Sequence, residues 1–402
     1  MYDARRDTVR MLFEDAIGAW YVPTGHVVYV TSSGTLMAVP WNNDALAATG
    51  PPVPILDGIQ APGFVVSADG TALYVLGPPL FTPGPVPNAV AVWVDRRGRV
   101  EPVDPGWKIN TGGGNWGLAL SPHGRRIAIK LLTDLGTDIW IKQLPGGPVS
   151  RLTLYPGEDD APGWTPDGRA VTFISDRPVP PDTARQGQWP GLWEEAADGT
   201  GEPRLLWRKD APTDGAWSSD GRWVVLGTAG PAGTSGGHDI LAARPGVDSV
   251  ARRMAATAYD ETAPAVSPDS RWLAYVSNET GEDEVFVRPF PNVNGGKWQV
   301  SSGGGSAPVW AHNGRELFYV DGPNMKLVQI HPGPPFSAGR PRVLFAIPDR
   351  VRAGSLVGGT FAISPDDQRF LMVRDKIWDD TTGTRLVVVE NLFSELRNKV
   401  RQ

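Results

Sequence analysis

Carboxylates cluster at recurrent points of the chain: Glu158-Asp159-Asp160 ahead of Trp164, Asp210 and Asp214 ahead of Trp217, and Asp260-Glu261 ahead of Ala265. Oxygen donors converging from several segments are what a hard cation needs. Asp159, Asp160, Asp214, Asp260 and Glu261 are therefore the candidate ligands for Ca²⁺ or another divalent cation. The same residue types also cap backbone amides locally, and the ligand spacing of a dedicated calcium loop is absent. No other cofactor is expected.

The remaining chemistry-bearing patterns lack the context their chemistry requires. Gly233-Thr234-Ser235-Gly236-Gly237 matches G-x-S-x-G, but a nucleophile elbow needs a strand before the serine and a helix after it. Gly303-Gly304-Gly305-Ser306 has neither the lysine nor the helix of a phosphate loop. The five histidines, His26, His123, His238, His312 and His331, show no metal-binding spacing. With Cys at 0, cysteine catalysis, disulfides and thiolate zinc sites are excluded. No catalytic residue is assigned. Arg177, Arg185 and Trp189, in the long stretch 175–191, are the candidate ligand or partner surface; a solvated crossover is the alternative there.

These residues must be positioned by a repeat. Ser267-Pro268-Asp269-Ser270 is a turn tetrad, with proline presetting φ and serine and aspartate bonding locally. The strand after it alternates Trp272, Ala274 and Val276 with Leu273, Tyr275 and Ser277. Related tetrads stand at 22–25, 67–70, 121–124, 165–168, 218–221, 311–314 and 364–367, with spacings of 44 to 54 residues. A period of that size signals a propeller or a solenoid.

Each repeat reads as four short strands, and no long amphipathic helix lies between them. The expected fold is therefore all-β: a single β-propeller of four-stranded antiparallel blades over 1–402. Eight blades are expected, with seven the alternative because the first and last tetrads are degenerate. Ring closure is expected from an N-terminal strand, Val9 to Phe13, completing the last blade and protecting its edge. Leu392, Leu396 and Val400 form a helical stripe over 391–400, with Asn391 as N-cap.

In such a ring the acidic loops and the long loops share one face, and the tetrads lie on the other. Tryptophans at equivalent repeat positions, such as Trp164, Trp217 and Trp310, read as packing between blades. Trp107, Trp116, Trp189 and Trp378 fall outside the repeat and are the candidates for exposure.

A net charge of −6 disfavours nucleic acid or an anionic membrane as partner. There is no apolar run of about 18 residues and no signal-peptide pattern at Met1 to Arg6. The chain as written is expected to be soluble and cytoplasmic. Its abrupt start inside a repeat suits a piece of a longer protein.

The unit Gly163-Trp164-Thr165-Pro166-Asp167-Gly168-Arg169 resembles the TolB-type, WD40-like (PD40) propeller repeat. Other stretches are similar to the propeller region C-terminal to bacterial serine/threonine kinases. They are Tyr21-Val22-Pro23-Thr24-Gly25-His26, Val94-Asp95-Arg96-Arg97-Gly98-Arg99-Val100, Val287-Arg288-Pro289-Phe290-Pro291 and Gln368-Arg369-Phe370-Leu371-Met372. That resemblance implies a sensor or interaction module linked to a membrane-anchored kinase, and an extracytoplasmic location if so. The chain itself has no kinase Gly-rich loop, H-R-D or D-F-G, and the family hands over no catalytic residue.

The expected function is a non-catalytic binding module, presenting the long loops and the acidic channel mouth to a protein, peptide or small ligand. A metal-dependent hydrolase, lactonase or lyase at the channel is the alternative enzyme reading. A structural subunit of a larger assembly is the third.

Overall fold

Each of the eight tetrads connects the first and second strands of its own antiparallel sheet. The computed structural model describes residues 2–3, 8–9, 12–13, 16–31, 34–76, 89–110, 117–133, 136–178, 190–229, 237–333, 335–353, 361–375 and 385–400. We name the sheets A to H in the order of their tetrads. Outside them lies a two-stranded pair, Tyr2–Asp3 with Thr8–Val9. Among the described residues no helix is long and apolar enough to cross a membrane.

The turns form for local reasons. The first-position hydroxyl donates to the third-position carboxylate in Thr165–Asp167 (2.7 Å), Ser218–Asp220 (2.6 Å), Ser267–Asp269 (2.6 Å) and Ser364–Asp366 (2.5 Å). The same carboxylate accepts the amide two residues on, as from Arg169 at 3.0 Å and Arg271 at 3.1 Å. These are Asx-type turns built into a strand connection. Their fourth position is left-handed, with φ of 67 to 68° at Gly124, Gly168, Gly221 and Gly314 and 55 to 58° at Ser270 and Asp367.

The chain forms two compact units, Pro87–Lys376, and Met1–Val86 together with Ile377–Gln402. The expectation of one domain over 1–402 does not match this division.

Unit Pro87–Lys376 holds sheets C to H. Sheet C comprises Leu118–Leu120, Arg126–Thr133, Gly136–Gln143 and Val149–Arg151. Sheet D comprises Asp159–Trp164, Ala170–Ser175, Gly191–Ala196 and Arg204–Trp207, and sheet E Pro212–Trp217, Val224–Thr228, Ile240–Ala243 and Arg252–Ala255. Sheet F comprises Glu261–Val266, Trp272–Ser277, Glu284–Pro289 and Trp298–Gln299. Sheet G is Ser306–Trp310, Glu316–Asp321, Asn324–His331 and Arg342–Ala346. Sheet H is composite: Ala362–Ile363 and Arg369–Asp375 pair onward with Ala89–Asp95 and Val100–Pro102.

The other unit holds sheet A, with Ala16–Val22, His26–Thr31, Leu36–Asn42 and Val53–Leu56, and sheet B. Sheet B joins Ile59–Val66 and Ala72–Leu76 to the C-terminal strand Arg385–Val389. The helix Leu392–Lys399 buries Leu392, Leu396 and Val400 among Val22, Leu36 and Phe64. Asn391 stands at its N-cap but makes no side-chain cap bond, because its φ of 63° turns the residue left-handed. Gly70 O accepts the Leu392 amide instead, at 3.0 Å.

The expected ring closure is therefore corrected. Thr8–Val9 pairs with Tyr2–Asp3, and the last strand pairs with Ala72–Leu76 rather than with the N-terminus. The physical reason is an exchange of third strands between sheets B and H. Both begin with two strands in sequence order. The third strand of B then comes from beyond H, and that of H from directly after B.

Candidate functional site

The acidic positions come first, because the repeat sets them at the start of each first strand. Asp159 is fully buried and receives the Arg177 guanidinium at 2.9 and 3.0 Å. Burial outweighs that cation and holds the Asp159 carboxyl above the usual range. Asp160 pairs with Lys130 at 2.6 Å, and Asp214 accepts the Gly227 amide at 2.8 Å. Asp260 accepts from the Gly237 and His238 amides, from His238 Nδ1 at 3.1 Å and from Asn278 Nδ2 at 3.2 Å. Glu261, also fully buried, accepts from the amide and hydroxyl of Thr257, and burial raises its pKa. Each carboxylate thus meets a donor from its own or the adjacent sheet. Among the described residues no group of three or more His, Asp or Glu side chains is arranged to hold a metal ion.

Arg177 points inward. Its guanidinium lies over Phe173, Tyr155 and Trp193 at 4.9 to 5.3 Å. Arg185, Trp189, Trp116, Trp378 and the serine of the G-x-S-x-G match lie outside the described residues. Trp107 is buried, 7% exposed, with the Lys142 ammonium 5.6 Å from its ring, so its expected exposure is corrected. Two of the repeat tryptophans hydrogen-bond to the neighbouring sheet: Trp164 Nε1 donates to Ala119 O at 3.1 Å, and Trp310 Nε1 to Ala265 O at 3.0 Å.

Within Pro87–Lys376 the six tetrads touch head to tail. A methyl on Gly124, Gly168, Gly221 or Gly314 would meet Pro365, Pro122, Pro166 or Pro268 at 2.8 to 4.0 Å. Ser270 Oγ accepts the Asp220 amide at 3.2 Å, and Asp367 Oδ1 accepts the His312 amide at 2.9 Å. Sheet C meets H, D meets C, E meets D, F meets E, G meets F and H meets G, which closes a six-membered cycle.

The first strands of those six sheets line an open cavity of about 410 Å³. Its walls include Leu118, Pro162, Pro264, Pro308, Val309 and Ile363. Three of the walls carry the same irregularity. Ala161, Ala263 and Ala307 each precede a proline, adopt φ of 48, 51 and 49°, and sit in register shifts of the first strand. A left-handed alanine costs on the order of 1–2 kcal/mol. The bulge takes the alanine and the proline out of the ladder, and both line the cavity. Among the described residues, the titratable ones that line it are Asp214 and His312. Sequence reasoning missed His312 and Asp367. Their signal was present as departures from the tetrad, histidine where proline is usual and aspartate where glycine is usual.

No family model and no curated protein matches the sequence. Solved structures do. A protein assigned as TolB from Agrobacterium tumefaciens is similar with a TM-score of 0.53 and 17% identity, over 72% of this chain and 98% of that one. TolB from Acinetobacter baumannii aligns with a TM-score of 0.39 and 19% identity, over 68% of this chain and 63% of that one. A periplasmic gluconolactonase from Pseudomonas aeruginosa aligns with a TM-score of 0.42 and 13% identity, over 84% and 98% of the two chains. Likeness at these identities speaks to architecture alone. Tetrad-linked antiparallel sheets around a central cavity, together with the Agrobacterium relative, give this chain a TolB-like β-propeller fold.

Proposed function

We propose that this protein is a non-catalytic binding module that holds its ligand in the channel of the Pro87–Lys376 unit. The supporting observation is the cavity of about 410 Å³ that all six first strands line. Its walls are mainly apolar, with few polar groups, the usual make-up of a ligand site. The left-handed alanines at 161, 263 and 307 add to this, since backbone strain of that kind tends to gather where a site is being shaped. The sequence likeness to the propeller region behind bacterial kinases favours a sensing role, with ligand occupancy as the signal.

The test uses thermal shift on the whole chain against a library of small amphiphiles and peptides, because a ligand of the folded state raises Tm. A hit is then repeated on Val309→Trp, which fills the channel from one wall. The expected result is a folded variant that no longer responds. A variant that responds like the wild type would overturn the channel as the binding site.

A further inference from the structure

His312 is held by the neighbouring sheet through one edge of its ring. Nδ1 lies 2.8 Å from Asp367 Oδ1. A carboxylate only accepts, so Nδ1 carries the proton and Nε2 of the neutral ring is an acceptor. Asp367 is fixed in turn. It is 7% exposed, accepts the amides of His312 at 2.9 Å and Asn313 at 3.4 Å, and its own carbonyl accepts from Arg96 at 3.1 Å. The His312 side chain is 44% exposed and lines the cavity, and its Nε2 makes no hydrogen bond among the described residues. Of the two titratable groups on the wall, Asp214 already accepts the Gly227 amide at 2.8 Å.

The geometry points to a ligand class, and this inference rests on the channel reading given above. We propose that the channel binds small carboxylic acids with an apolar body, the acid seated on His312 Nε2 and the body along Pro264, Pro308, Val309 and Ile363. The acid proton passes to Nε2, and the imidazolium then lies between two carboxylates, Asp367 and the ligand. Both contacts are charge-assisted hydrogen bonds. The charged groups near His312 are Asp367 and Asp366 of the sheet H tetrad, Arg96 in the turn between the outer strands of H, and Arg315 and Glu316 following the sheet G tetrad, with Asp214 elsewhere on the wall. Arg96 is neutralised by a bidentate pair with Glu316, both contacts at 2.9 Å. Asp366 accepts from Ser364 and from the Gln368 amide.

The consequence is coupled protonation. A carboxylate anion binding to the neutral ring must bring one proton with it, so its affinity falls about tenfold per pH unit once the free imidazole is neutral. An alcohol of the same length needs only the Nε2 acceptor and takes up none.

The experiment is calorimetric titration of the full chain with octanoate and with octanol between about pH 6 and pH 9, in buffers of differing ionisation enthalpy. Expected at pH 9 are uptake of about one proton with octanoate, none with octanol, and at least a tenfold loss of octanoate affinity in His312→Gln with octanol changed less than about twofold. The wild-type proton count needs no variant, so a poorly folding H312Q leaves the test intact. Octanoate binding at pH 9 without proton uptake would overturn the proposal, as would octanol binding where octanoate fails at every pH. Failure of both probes would overturn it too. The channel reading falls on a separate result, a thermal-shift hit that acts equally on the wild type and on Val309→Trp.

Discussion

Nη2 of Arg177 contacts both oxygens of the fully buried Asp159 carboxylate, at 3.0 and 2.9 Å, while its guanidinium plane rests among Tyr155, Phe173 and Trp193. A charge so enclosed depends on its partner, because water cannot take the partner's place. Arg177→Ala should destabilise the fold by about 3–5 kcal/mol. Adding Asp159→Asn should recover much of that loss, since the unpaired charge goes with it. Urea unfolding of the two variants decides it; equal loss in both would show that lost packing, rather than stranded charge, dominates.

Glu195 gives the pH dependence. It is 8% exposed, and one of its carboxyl oxygens is buried without a partner. Burial pushes its pKa up to about 7, against the pull of Arg177. Because the folded state holds the proton more tightly than the unfolded chain, stability declines as pH rises from about 4.5 to about 7 and is level above. Glu195→Gln should therefore raise Tm by a few degrees at pH 8 and change it little at pH 4.5. An identical effect at both pH values would refute the assignment.

Gly70 is required by close approach. Its φ is 93°, and a methyl there would lie 2.8 Å from the Phe393 ring of the C-terminal helix. Gly70→Ala should cost about 2–3 kcal/mol through strain and displacement of that helix. Hydrogen exchange should show faster opening over 392–399 with little change in the first strands of sheets C to G. Unchanged protection of the helix would contradict the contact.

The candidate cation ligands already have donors: Arg177 on Asp159, Lys130 on Asp160, the Gly227 amide on Asp214, His238 and Asn278 on Asp260, and Thr257 on Glu261. Stripping the protein with EDTA and adding back Ca²⁺, Mg²⁺ or Mn²⁺ should therefore shift Tm by less than about 1 °C. A drop reversed by one cation would support the metal reading of these loops.

Much of the architecture was legible because the tetrad is a local device. Ser267, Pro268 and Asp269 encode their turn within a few residues, and related tetrads stand at eight points of the chain. Pairing partners were not legible. Leu73 to Leu76 is followed in sequence by a third-type strand at Val90 to Val94, and Phe370 to Val373 by another at Leu386 to Val389. Exchanging those two third strands leaves the linear pattern unchanged. The same limit governed the site. His312 and Asp367 stand 55 residues apart and meet only because neighbouring tetrads touch, a contact that no local pattern announces.

The composite sheets carry a consequence for the gene as well as the fold. Ala89 lies opposite Asp375 in sheet H, and Leu76 lies opposite Arg385 in sheet B. Each unit therefore has its two cut ends on neighbouring strands. Residues 87–376 form one uninterrupted coding segment, and joining Leu76 to Arg385 through a two-residue Asn-Gly turn would turn what is left into an ordinary β-hairpin. In chain order, residues 87–376 fall between the paired strands Ala72–Leu76 and Arg385–Val389, the kind of connection that tolerates an insertion.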